Sequence, residues 1–159
     1  MSAPDPLFAV ENYRMDDSVG YLLARSRAML AKALDAALVS DGVTHSQSGI
    51  LLLLASGKYS TAADLVRETF TDAASMTRML DRLQKNGLIE RAQDGEDRRQ
   101  VRLRLTAAGA ALAARLPAIL TGVLNARFAG FSAEEIGFLK SLLRKLLQNG
   151  RLGDGGADA

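Results

Sequence analysis

No cysteine occurs in the 159 residues of this chain, there is no tryptophan, and the one histidine is His45. Without thiols there can be no disulfide, no thiol redox sensor and no thiolate zinc site. One imidazole among scattered carboxylates is poor material for a transition-metal site, so no metal and no cofactor are expected. A glycine-rich phosphate loop is missing, and no nucleophile has an evident partner base, so an enzyme finds little support. Net charge is only +2, which excludes a general polycation. The aliphatic run from Ile50 to Ala55 is far too short to cross a bilayer, and no signal peptide is visible. A cytoplasmic protein with no membrane partner is expected.

What is present is apolar periodicity at helical spacing. Hydrophobic residues make up 48% of the chain, enough for one soluble domain over residues 1–159 with a real core. Between Asp17 and Val39 apolar residues recur at Val19, Leu22, Leu23, Met29, Leu30, Leu34 and Leu38, the pattern of a long amphipathic helix. A second long helix is predicted from Thr106 to Phe128, with Pro117 expected to kink or break it. Ser132 and Glu135 form a capping box for a last helix carrying Leu139, Leu143 and Leu147. The ends, residues 1–12 and 150–159, are expected to be flexible.

The middle of the chain has a different grain. Thr61 and Asp64 signal the start of a short helix with Leu65 and Val66 on its apolar side. After a tight turn, Met76, Met79, Leu80 and Leu83 mark one face of a second helix, with Thr71 or Asp72 as cap and Gly87 as left-handed stop. The other face carries Ser75, Thr77, Arg78, Arg82 and Lys85. A strand then starts near Leu88 and Ile89, a turn falls at residues 93–96, and Val101, Leu103 and Leu105 alternate with Gln100, Arg102 and Arg104 as a half-buried strand does. Asp97 stands two residues before Arg99, close enough to orient its guanidinium, and an aimed arginine on an exposed hairpin suits the minor groove of DNA. From Arg78 to Arg104 there are eight Arg or Lys against five Asp or Glu, a modest local excess of positive charge. Helix, tight turn, helix, hairpin is the order of a winged helix-turn-helix, whose second helix enters the major groove.

At these residues the chain resembles the MarR family of transcriptional regulators. The hairpin matches the family pattern D-x-R-x-x-x-L-x-L-T at Asp97, Arg99, Leu103, Leu105 and Thr106, extended by Gly109. The end of the second helix is similar to T-R-x-x-x-x-L-x-x-x-G-L-x-x-R at Thr77, Arg78, Leu83, Gly87, Leu88 and Arg91. Thr44, Gln47, Ile50 and Leu51 match the start of the family's second helix. Two positions depart from the pattern: Phe70 stands where many relatives place a small turn residue, and Ala73 and Ala74 occupy the front of the recognition helix.

The resemblance implies a mainly α fold with a small β-wing. It implies a DNA-binding lobe at 44–105 and a helical dimerisation region at 13–40 and 106–149. It implies a homodimer on a near-palindromic double-stranded operator, most simply a repressor released by a small aromatic or phenolic acid. Ser75, Thr77 and Arg78 are the expected base contacts, and Arg82 a phosphate or guanine contact. Arg99, held by Asp97, is expected in the minor groove, and Arg98 on a phosphate. Arg14, Arg25 and His45 are the expected effector contacts, with Tyr21 and Ser48 nearby. A winged-helix module that binds protein and not DNA is the alternative, since one fold hosts many functions.

Overall fold

The computed structural model describes residues 6–93 and 101–154. The elements run α1 (Val19–Leu38), α2 (His45–Ala55), α3 (Ala62–Thr69), α4 (Ala73–Lys85), β1 (Ile89–Gln93), β2 (Val101–Leu105), α5 (Ala107–Arg127) and α6 (Ala133–Asp154). This is a mainly α fold with one two-stranded antiparallel sheet, a winged helix-turn-helix.

Each α-helix opens on a side-chain cap. The Tyr21 N–H donates to Ser18 Oγ at α1, and the Ser75 N–H donates to Asp72 Oδ1 at α4. Reciprocal capping boxes start α2 (Thr44 with Gln47), α3 (Thr61 with Asp64) and α6 (Ser132 with Glu135). At α5 the Gly109 N–H donates to Thr106 Oγ1. Such caps satisfy backbone donors that the helix itself leaves open.

One hydrophobic core gathers the buried faces of these elements. Leu38 of α1, Ile50 and Leu51 of α2, Leu65 of α3, Met76, Leu80 and Leu83 of α4, Ile89 and Leu103 of the sheet, and Leu112 and Leu116 of α5 form one cluster. The aliphatic run of α2 buries Ile50, Leu51 and Leu54 and half-buries Leu52 and Leu53, which is why it lacks a polar face. α5 is by length and composition apolar enough to span a bilayer, but it seats Leu112, Ala113 and Leu116 in this core and pairs Arg115 with Asp41.

Several expectations need correcting. Pro117 does not break α5, which runs unbroken from Ala107 to Arg127. Proline removes one backbone donor, and the buried Ala113 and Leu116 on the turn before it hold the helix in place. Val101 does not point into the core; it lies at the far end of β2 and is exposed. Arg102 does not face open solvent, since its Nη1 donates to Ser60 Oγ at 2.8 Å. The helical stretch of α6 reaches Asp154, into the end expected to be flexible, and residues 10–12 form a 3-10 turn. The chain is described as two compact units, residues 1–124 and 125–159. No side chain from 133 to 150 is buried, so α6 adds nothing to a core of its own.

Candidate nucleic-acid interface

The recognition surface is built outward from buried residues. Met76, Leu80 and Leu83 fix one side of α4 in the core, and the 3.6-residue period then leaves Thr77, Arg78, Arg82 and Lys85 exposed on the other. Arg78 Nη2 donates to Ser75 Oγ at 2.8 Å, which holds the guanidinium along the first turns of the helix. Thr77 Oγ1 donates back to the Ala73 carbonyl at 2.9 Å. Arg82 and Lys85 make no hydrogen bond or ion pair with a described residue, so their charges face solvent. The Asp72 carboxyl is held below the usual aspartate range, first by the Ser75 N–H and then by the Ser75 hydroxyl, so its cap stays ionised near neutrality.

The wing is anchored to the helices on both strands. Ile89 pairs with Leu105, Arg91 with Leu103 and Gln93 with Val101 in an antiparallel register. Arg91 of β1 reaches back to α4, donating to Asp81 Oδ1 at 2.7 Å and Gln84 Oε1 at 2.5 Å. On the other edge the Leu103 N–H donates to the Ser60 carbonyl at 2.7 Å, so the residue before the α3 cap extends the ladder. The base of the wing is closed by Thr106, whose Oγ1 donates to the Gly87 carbonyl at 2.6 Å and whose N–H donates to the Leu88 carbonyl. Gly109 lies against that same Leu88 carbonyl so closely that a Cβ there would stand 1.9 Å from the oxygen. The glycine of the L-T-x-x-G pattern is therefore a packing requirement between wing and α5.

A winged helix-turn-helix with a basic second helix is the arrangement that reads a duplex. A profile of the MarR family matches residues 41–100. An HTH-type transcriptional repressor of Mycobacterium tuberculosis is 30% identical over 131 residues, covering 82% of this chain and 94% of the relative. The chain belongs to the MarR family. Escherichia coli MarR, as a mutant complexed with operator DNA, matches with a TM-score of 0.73 at 26% identity, over 81% of this chain and 93% of that one. The Bordetella bronchiseptica protein BpsR matches with a TM-score of 0.74 at 25% identity, over 84% and 96%; its structure is described as a mechanism for regulation of DNA binding by 6-hydroxynicotinic acid. As a MarR-family protein this chain is a DNA-binding transcriptional regulator and not an enzyme.

Within the MarR framework, the expected DNA contacts Ser75, Thr77, Arg78 and Arg82 all lie on α4, with Ser75 half-buried and the other three exposed. Asp97, Arg98 and Arg99 lie outside the described residues. The expected effector contacts are spread along the chain. Arg14 lines an open cleft of about 330 Å³ with Phe8, Tyr13 and Asp17. Arg25 Nη1 donates to the Tyr21 hydroxyl at 2.8 Å, one helical turn away on α1. His45 sits at the start of α2, where its backbone N–H donates to Asp35 Oδ1 at 2.6 Å and its Nδ1 lies 3.0 Å from the same oxygen. Asp35, the partner of His45, is ten residues beyond Arg25, about 15 Å along the helix axis. The backbone N–H of His45 and then its ring hold the Asp35 carboxyl below the usual aspartate range. Ser48 is buried, its hydroxyl donating to the His45 carbonyl.

Sequence inspection missed the contacts that join elements: Asp35 with His45, Asp41 with Arg115, Asp81 with Arg91, and Ser60 with β2. The glycine of L-T-x-x-G carried a sequence signal for a different junction, the packing of α5 against Leu88.

Proposed function

We propose that the protein is a homodimeric repressor that grips a near-palindromic operator and releases it when a small aromatic or phenolic acid binds. The observation that carries DNA reading is the outer face of α4, where Arg78 and Arg82 stand opposite the buried Met76, Leu80 and Leu83. Arg78, held by Ser75, is assigned to base edges with Thr77 beside it, Arg82 to a phosphate or a guanine, Arg98 to a phosphate, and Arg99, aimed by Asp97, to the minor groove. The role of such a regulator places it in the cytoplasm.

Support for a second copy comes from apolar surface that one copy leaves uncovered. On α6, Phe138, Leu142, Leu146 and Leu147 are exposed, while Leu139 and Leu143 are half-buried. The seam is therefore drawn through Phe138, Leu142 and Leu146 as well as Leu139, Leu143 and Leu147. On α1, Val19, Leu22 and Met29 are exposed too. A two-fold axis would set two recognition helices about 34–36 Å apart, one turn of duplex. The likeness to BpsR favours an aromatic acid as effector. Arg14 and Arg25 are assigned to its carboxylate, with His45 at the edge of the site.

The test is operator binding by the full chain on duplexes selected from random DNA. Affinity should fall steeply with salt. Arg78→Ala should cost about 1–3 kcal/mol at one base position and relax specificity there. Arg99→Ala should weaken operator binding sharply with the dimer intact. An aromatic acid should release the operator, and Arg25→Ala should blunt that release. A chain that binds no duplex at low ionic strength would overturn the proposal.

A further inference from the structure

The front of α4 offers DNA almost no free hydrogen-bonding side chain. Thr69 Oγ1 donates to the Leu65 carbonyl at 2.7 Å and shares a hydrogen bond with Thr71 Oγ1 at 3.0 Å. Asp72 accepts from the Ser75 N–H, Ser75 Oγ accepts from Arg78, and Thr77 donates to the Ala73 carbonyl. Each polar group from Thr69 to Thr77 is thus engaged within the turn or the helix. What remains outward is apolar: Ala73 and Ala74, both exposed, and the ring of Phe70, 57% exposed in the turn just before the cap. Phe70 is also the one non-glycine residue with a positive φ among the described residues, at φ 52° and ψ 32°.

The N-terminal residues of a recognition helix are those that meet base edges in the major groove. The apolar group presented there is the C5-methyl of thymine, which alanine, phenylalanine and the threonine methyl can all cover. We infer that Phe70, with Ala73 and Ala74, reads thymine methyl groups, so that this chain selects its half-site partly by apolar contact and not by hydrogen bonds alone. The inference rests on the DNA-reading assignment of α4 made above. Phe70 is a specificity-determining residue in this scheme, and Arg78, with donors left after its bond to Ser75, reads the neighbouring guanine.

The experiment replaces each thymine of the selected operator by deoxyuridine, one at a time, which deletes only the methyl group. With the wild-type chain, one or two replacements per half-site should lower affinity about three- to fivefold each, the worth of one buried methyl. In Phe70→Ala the penalty at one of those thymines should vanish while the other persists, a coupling that a folding defect would not mimic. Ala74→Ser should shift the preference at the other position. A protein that selects a duplex yet is indifferent to every deoxyuridine, or whose penalties are unchanged in Phe70→Ala, overturns methyl reading alone. A protein that selects no duplex overturns the DNA assignment itself, and this inference with it.

Discussion

At Phe70 the backbone takes the left-handed conformation that close approach of Cβ to carbonyl oxygen makes costly for L-residues, by about 1–2 kcal/mol. The side chain is more than half exposed, so little burial offsets that cost. Phe70→Gly should therefore stabilise the fold by about 1 kcal/mol, which is ~2–4 °C in Tm for a chain of this size, while weakening operator binding. Thermal melts and binding titrations of one variant check both signs. Gly109 gives the opposite case. A Cβ there would stand 1.9 Å from the Leu88 carbonyl oxygen, backbone against backbone, and neither side can rotate away. Gly109→Ala should destabilise by about 1–3 kcal/mol or more, as overpacking does, measured by urea unfolding. Gly87, at φ 68° with open space around its Cβ position, should cost only about 1 kcal/mol on substitution by alanine.

Caps and cross-element pairs act at the scale of the element. Three aspartates, Asp35, Asp64 and Asp72, have carboxyls lowered from their ordinary value by hydrogen bonds at helix starts. For Asp64 the Thr61 side chain contributes most, followed by the Ser60 N–H. A carboxylate with a depressed folded-state pKa stabilises the fold above its unfolded value, near pH 4, and loses that contribution as pH falls through the folded value. The thermal midpoint should therefore drop below about pH 4. Asp64→Ala should lower the midpoint at pH 6 and shrink that acid drop, a comparison made by melting both proteins across the range. Arg91 ties β1 to α4, yet the pair is partly exposed, and Arg91→Ala should cost no more than about 1 kcal/mol.

The whole molecule, on the proposed reading, works only in pairs. Each copy alone leaves Phe138, Leu142, Leu146 and Leu147 of α6 in water, and exposed apolar surface at helical spacing is what a partner helix covers. Leu142→Asp should yield monomers by light scattering without loss of helical signal, since no side chain of α6 up to residue 150 is buried in one copy. Operator affinity should then fall about 10²-fold or more, because the second half-site loses its tethered concentration. A Leu142→Asp chain that stays dimeric with full affinity would move the seam off α6.

Periodicity and capping residues determined the helices, their order and the hairpin, because those signals are local: a cap lies three residues from the donor it satisfies, and a buried face repeats every three or four. The same locality by itself puts Ser75, Thr77, Arg78 and Arg82 on α4. The pairings of Asp35 with His45 and Arg91 with Asp81, the docking of Arg102 on Ser60, the survival of α5 through Pro117 and the left-handed Phe70 were decided only in three dimensions. Each depends on groups brought together from separate elements, or on how surrounding packing weighs against a local preference, and neither quantity is written in the spacing of residues along the chain.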